Sequence, residues 1–121
     1  LISIHADSCE YYHDDATGYK IAGSQYTDSV LLENCVNQAY SEGTSLPYHA
    51  NTITPHMTDY HAFREINIGT PAIIIETGFM NLDRELLTAD HTIPADAITK
   101  GIFCYINAVR GDMVTSVSDA S

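Results

Sequence analysis

The stretch Pro71-Ala72-Ile73-Ile74-Ile75-Glu76-Thr77-Gly78-Phe79 constrains this chain more than any other. An apolar run carries one carboxylate at its end, and a glycine follows. This pattern is that of a buried strand delivering a single charged group to the edge of a sheet. Burying an ionised carboxylate costs several kcal/mol unless it is paired or bound to a metal, so the position asks for a reason. Leu1-Ile2-Ser3-Ile4-His5-Ala6-Asp7 has the same form, a short apolar strand of buried type ending in a histidine and an aspartate. Two strands that each offer an acid/base or metal-type residue at the carboxyl end point to one site.

The segments between them alternate. Tyr19 to Ala22 reads as a short strand. Residues 28–41 carry Leu31, Leu32, Cys35, Val36, Ala39 and Tyr40 on one helical face, with Asp28 as cap and Gly43 as stop. Residues 44–58 read as a long loop, 60–66 as a third strand and 72–76 as a fourth. A short helix is expected over 82–88, capped by Asn81, and a last helix from Pro94 to Val109. This order predicts an α/β domain over 1–109, a twisted, mostly parallel sheet with helices on both faces, and a polar tail over 110–121.

Charge narrows the partners. Sixteen acidic residues against five basic ones give a formal charge of −11. That balance excludes a nucleic-acid backbone or an anionic membrane as partner and suits cation binding or an exported surface. No apolar run reaches the roughly 18 residues of a membrane span. The cysteines Cys9, Cys35 and Cys104 have no CxxC spacing, and buried reduced thiols are the favoured reading.

Other chemistries find little support. Ser8, Ser29 and Ser45 lack the Gly-x-Ser-x-Gly context of a serine hydrolase, and no glycine-rich phosphate loop is present. His13, Asp14, Asp15, Asp7 and Glu10 cluster after the first strand. They are a zinc or calcium site or, the favoured reading, a solvated acidic loop. The aspartate spacing does not match an EF-hand. His49, His56 and His91 are expected at the surface. The eight tyrosines suit a sugar or peptide groove, or an interface.

Ser3-Ile4-His5-Ala6-Asp7 and Pro71 to Phe79, with Tyr60-His61-Ala62-Phe63-Arg64 between them, resemble the zinc-dependent N-acetylmuramoyl-L-alanine amidases. The resemblance runs over most of residues 1–108. It implies an α/β sandwich and cleavage of the amide that joins the glycan lactyl group to L-alanine in peptidoglycan. It further implies that His5 binds zinc and that Glu76 is the catalytic acid/base, with Asp7, His61 and Arg64 as supporting residues. An extracellular, periplasmic or cell-wall location follows from the same resemblance. In that family two further zinc ligands lie upstream of the position of His5, in a first strand and helix that this sequence is expected to lack. Two readings follow. The chain is part of an amidase whose site is completed by the missing N-terminal part. Alternatively it is a catalytically silent module that binds or self-assembles, with further copies of itself filling an open sheet edge.

Overall fold

The computed structural model describes residues 1–10, 16–49 and 52–120, the last of these as backbone alone beyond residue 111. Three strands form one sheet: β1 (Ile2–Asp7), β2 (Lys20–Gly23) and β3 (Ile73–Phe79), in the order β1-β3-β2. The pairing of β1 with β3 is parallel and that of β2 with β3 antiparallel, so the sheet is mixed. The central strand is the one the apolar run foretells. Ile73, Ile74 and Ile75 are all buried, as a strand covered on both faces requires.

Helices cover both faces. On one side lie α1 (Val30–Thr44) and α5 (Thr92–Ala120), whose residues Leu32, Val36, Tyr40, Ala97 and Ile98 join Tyr19, Ile21, Ile73 and Ile75 in the main core. The four α1 residues Leu32, Cys35, Val36 and Tyr40 recur at helical spacing and are all buried. The two helices approach closely at Gly101, where an added Cβ would sit 2.8 Å from the Cα of Val36. On the other side, the short helices α2 (Pro55–Thr58) and α3 (His61–Glu65) bring Met57, Tyr60, Phe63 and Ile66 onto Ala22, Ala72 and Ile74. A further short helix, α4 (Arg84–Leu87), follows β3.

Several expectations need correction. Within residues 60–66, expected as a strand, His61–Glu65 form a helix. Tyr60, Phe63 and Ile66 recur at three-residue spacing and pack on one cluster, and Phe63 N–H donates to the Tyr60 carbonyl at 2.9 Å. The first strand is an edge strand rather than a buried one, and Ile4 is 59% exposed. Helix α1 runs past Gly43 and stops at Ser45, which takes the left-handed conformation with φ 60°. Ser29 occupies its N-cap, while Asp28 accepts the Val30 N–H at 3.1 Å. The backbone of α5 continues past Val109 to Ala120. Cys35 and Cys104 are not reduced thiols but form a disulfide that ties α1 to α5; Cys9 is free and exposed.

Candidate active site

The register of the sheet assembles the site. His5 of β1 and Lys20 of β2 both align with Glu76 of β3. Aligned residues point to the same face, so three strands contribute one ionisable side chain each to a single row. His5 Nδ1 lies 3.9 Å from Glu76 Oε1. The other ring nitrogen, Nε2, meets Ser3 Oγ at 3.1 Å and the Tyr60 hydroxyl at 3.3 Å. Past a register shift between His5 and Asp7, the Asp7 carboxylate turns towards Lys20, with Oδ2 2.8 Å from Nζ.

The electrostatics follow from this packing. Burial pushes the Glu76 carboxyl above its ordinary range, and the charge of Asp7 pushes it further; His5 and Lys20 pull the other way without cancelling the rise. Glu76 Oε2 is buried and has no hydrogen-bond partner among the described residues. A buried carboxylate oxygen without a donor is costly, and such an oxygen is a ready proton acceptor. Asp7 goes the opposite way. Burial alone would raise it, but the Lys20 ammonium, the Ser8 N–H and the charge of His49 hold it below its ordinary value.

A wall of residues closes the row. Lys20 donates to Thr52 Oγ1 at 3.2 Å, and its ammonium sits 5.9 Å from the centre of the Phe79 ring. His49 packs edge-on against Phe79 with centroids 5.0 Å apart and pairs with Thr52 at 3.0 Å. Beneath them Asp83 holds the end of β3. It accepts from the Phe79 N–H at 2.8 Å, the Gly18 N–H at 2.9 Å and the Thr17 hydroxyl. Gly18 has φ 111°, and a Cβ there would lie 2.4 Å from the Pro47 carbonyl oxygen, so the turn into β2 needs glycine.

Solved structures share this arrangement of strands and helices. AmiC2 of Nostoc punctiforme, an N-acetylmuramoyl-L-alanine amidase, is 22% identical and superposes with a TM-score of 0.66, covering 88% of this chain and 57% of its own. The CwlD amidase from Clostridioides difficile, solved in complex with the GerS lipoprotein, is 24% identical with a TM-score of 0.64, over 88% of this chain and 54% of that one. The catalytic domain of CwlV, an amidase from Bacillus (Paenibacillus) polymyxa var. colistinus, gives 23% and 0.63, over 88% and 56%. The chain has the fold of the N-acetylmuramoyl-L-alanine amidases. It spans a little over half the length of these three, 54% to 57%. No protein-family model and no curated protein matches it.

Within this amidase fold, His5, Asp7 and Glu76 come together, and His61 and Arg64 do not join them. Arg64 pairs with Asp59 at 3.2 Å, and the exposed His61 stacks on Tyr60. Both follow from α3 being a helix, which turns these side chains away from the sheet. His56 and His91 are exposed as expected, but half-buried His49 stands beside the row. Tyr19 and Tyr40 are core residues, fully buried in the main cluster, rather than groove residues. His13, Asp14 and Asp15 lie outside the described residues. Among the described residues no three His, Cys, Asp or Glu side chains gather as a metal site. The His5 imidazole suits zinc in kind and supplies one ligand of a three-ligand set.

Proposed function

We propose that this chain carries part of the active centre of a peptidoglycan hydrolase that cleaves the N-acetylmuramoyl-L-alanine amide. The observation that carries the reading is the alignment of His5 with Glu76, with a buried carboxylate oxygen left unpartnered beside an imidazole. The amidase fold supports it. His5 would hold a zinc ion, with further ligands from outside the described residues. When bound, the zinc supplies a Lewis acid for the scissile carbonyl and a water of lowered pKa.

The residues of the chain then have defined tasks. Glu76 takes one proton from the attacking water at Oε2 as the oxygen bonds to the carbonyl carbon. It returns that proton to the departing amine of L-alanine as the carbon–nitrogen bond breaks. The raised affinity of Glu76 for a proton suits both halves of that transfer. Lys20 neutralises Asp7, which would otherwise put an unpaired charge beside the base. The acidic composition and a peptidoglycan substrate together support a location outside the cytoplasm, at the cell wall. The test is turnover of purified muropeptide by the intact protein and by Glu76→Gln. Loss of hydrolysis with zinc content retained is the expected result; undiminished hydrolysis removes Glu76 from the mechanism.

A second reading has its own observation. β1 is an edge strand with Ile4 exposed, and such an edge can recruit another strand. A binding or self-assembling module without catalysis would use it. Light scattering of the chain decides this reading, since a monodisperse monomer of 13.3 kDa excludes assembly.

A further inference from the structure

We propose that Tyr60 is a positioning residue for His5. Its hydroxyl, together with that of Ser3, holds Nε2 of the imidazole and leaves Nδ1 as the nitrogen presented to Glu76 and to a metal ion. This rests on the reading of His5 as a zinc ligand given above.

The ring nitrogens of His5 face two different environments. Nε2 has two hydroxyl oxygens, at 3.1 Å and 3.3 Å. Nδ1 has the Glu76 carboxylate, at 3.9 Å. An imidazole coordinates through the nitrogen that lacks the hydrogen, so the group that takes the hydrogen of the other nitrogen selects the coordinating one. Hydroxyl oxygens carry two lone pairs each and can share an Nε2–H. Neither hydroxyl makes another hydrogen bond among the described residues.

The two hydroxyls reach Nε2 by independent routes. Ser3 stands two residues before His5 on β1 and so shares its face. Tyr60 comes from the layer above, at the N-cap of α3. Its ring meets the imidazole edge-on, with centroids 5.4 Å apart and planes at 87°, and it meets buried Phe63 at 5.8 Å and 81°. Apolar packing of Tyr60 onto the Ala22, Phe63, Ala72 and Ile74 cluster therefore fixes where its hydroxyl lies. The helix at 61–65 delivers this oxygen, which a strand in its place would not.

The experiment has two arms. In the metal-free chain, nitrogen NMR of the His5 imidazole reads the tautomer directly. The Nε2–H form is expected to dominate. Tyr60→Phe, which keeps the ring and its packing, shifts the population towards Nδ1–H, and Ser3→Ala with Tyr60→Phe shifts it further. A dominant Nδ1–H form in the unsubstituted chain, or a tautomer unmoved in the double variant, overturns the proposal. Should Tyr60→Phe fail to fold, Ser3→Ala tests the same nitrogen from β1.

In the intact protein, zinc affinity is measured by competition with a chelator. Tyr60→Phe should weaken it about tenfold, the lower end of what partners of a ligating histidine contribute. His5→Ala should abolish it. If His5→Ala abolishes binding while Tyr60→Phe, Ser3→Ala and the double variant bind like the parent, the positioning role is overturned and His5 stands as a ligand. If His5→Ala binds zinc unchanged, the reading of His5 falls and takes this proposal with it.

Discussion

The Tyr40 phenol on α1 donates a 2.6 Å hydrogen bond to the backbone carbonyl of Thr77, the residue that follows Glu76 on β3. The tyrosine is fully buried, and burial together with the charge of Asp83 pushes its phenol well above the ordinary range, so it stays a donor. The helix thus grips the central strand beside the candidate base. Tyr40→Phe should cost about 1 to 2 kcal/mol, seen as a lower denaturant midpoint with an unchanged slope. A midpoint equal to that of the parent would mean that the contact carries no net stability.

Asp83 is the other fixture of β3. Its carboxylate accepts from Phe79 and Gly18 amides on two segments far apart in sequence. Asp83→Ala leaves two buried N–H groups without an acceptor, each costing about 1 to 3 kcal/mol. The chain should lose about 3 kcal/mol or more in urea unfolding. A loss under 1 kcal/mol would show that other groups take up those hydrogens.

The pH dependence of stability has a sign set by Glu76. Its folded value is raised above the ordinary 4.5, so the native state binds the proton more tightly than the unfolded chain. That contribution is fully present below 4.5 and is lost as pH rises through the folded value. Glu76→Gln, which cannot ionise, should gain on the parent as pH rises from 4 to 7 in the metal-free chain. Parallel stability curves for the two proteins across that range would contradict the burial argument.

The disulfide between Cys35 and Cys104 closes a span of 69 residues. Loop-closure entropy assigns such a crosslink about 4 kcal/mol. Thiol titration of the native chain should count one reactive group, Cys9, and the reduced, unfolded chain three. Cys35→Ser with Cys104→Ser should lower the melting temperature, and an unchanged melting temperature would show that helix packing alone holds α5.

Much of the fold is legible in the sequence because its signals are local. Ile73 to Ile75 are unbroken aliphatics and form the buried centre of the sheet. The α1 face at Leu32, Cys35, Val36 and Tyr40 shows its period directly. What is not legible depends on contacts between distant segments. The row of His5, Glu76 and Lys20 exists only through strand register, and nothing near Lys20 in sequence announces it. His49 sits in a stretch without periodicity, yet Phe79, thirty residues on, provides its packing surface. Residues 60–66 are too short for their period to separate helix from strand, and tertiary packing of Phe63 decides. The pairing of Cys35 with Cys104 follows from α1 lying against α5, which no spacing of three cysteines discloses.

Among the described residues β3 pairs with a strand on each side, β1 pairs with β3 alone, and β2 meets, besides β3, the single bridge of Tyr19 to Tyr48 at its start. Local opening starts where backbone bonds are fewest, so amide exchange should reach β3 last. Glu76 therefore hangs from the segment that breathes least, and any adjustment of the candidate site falls to the short helices α2 and α3 around it.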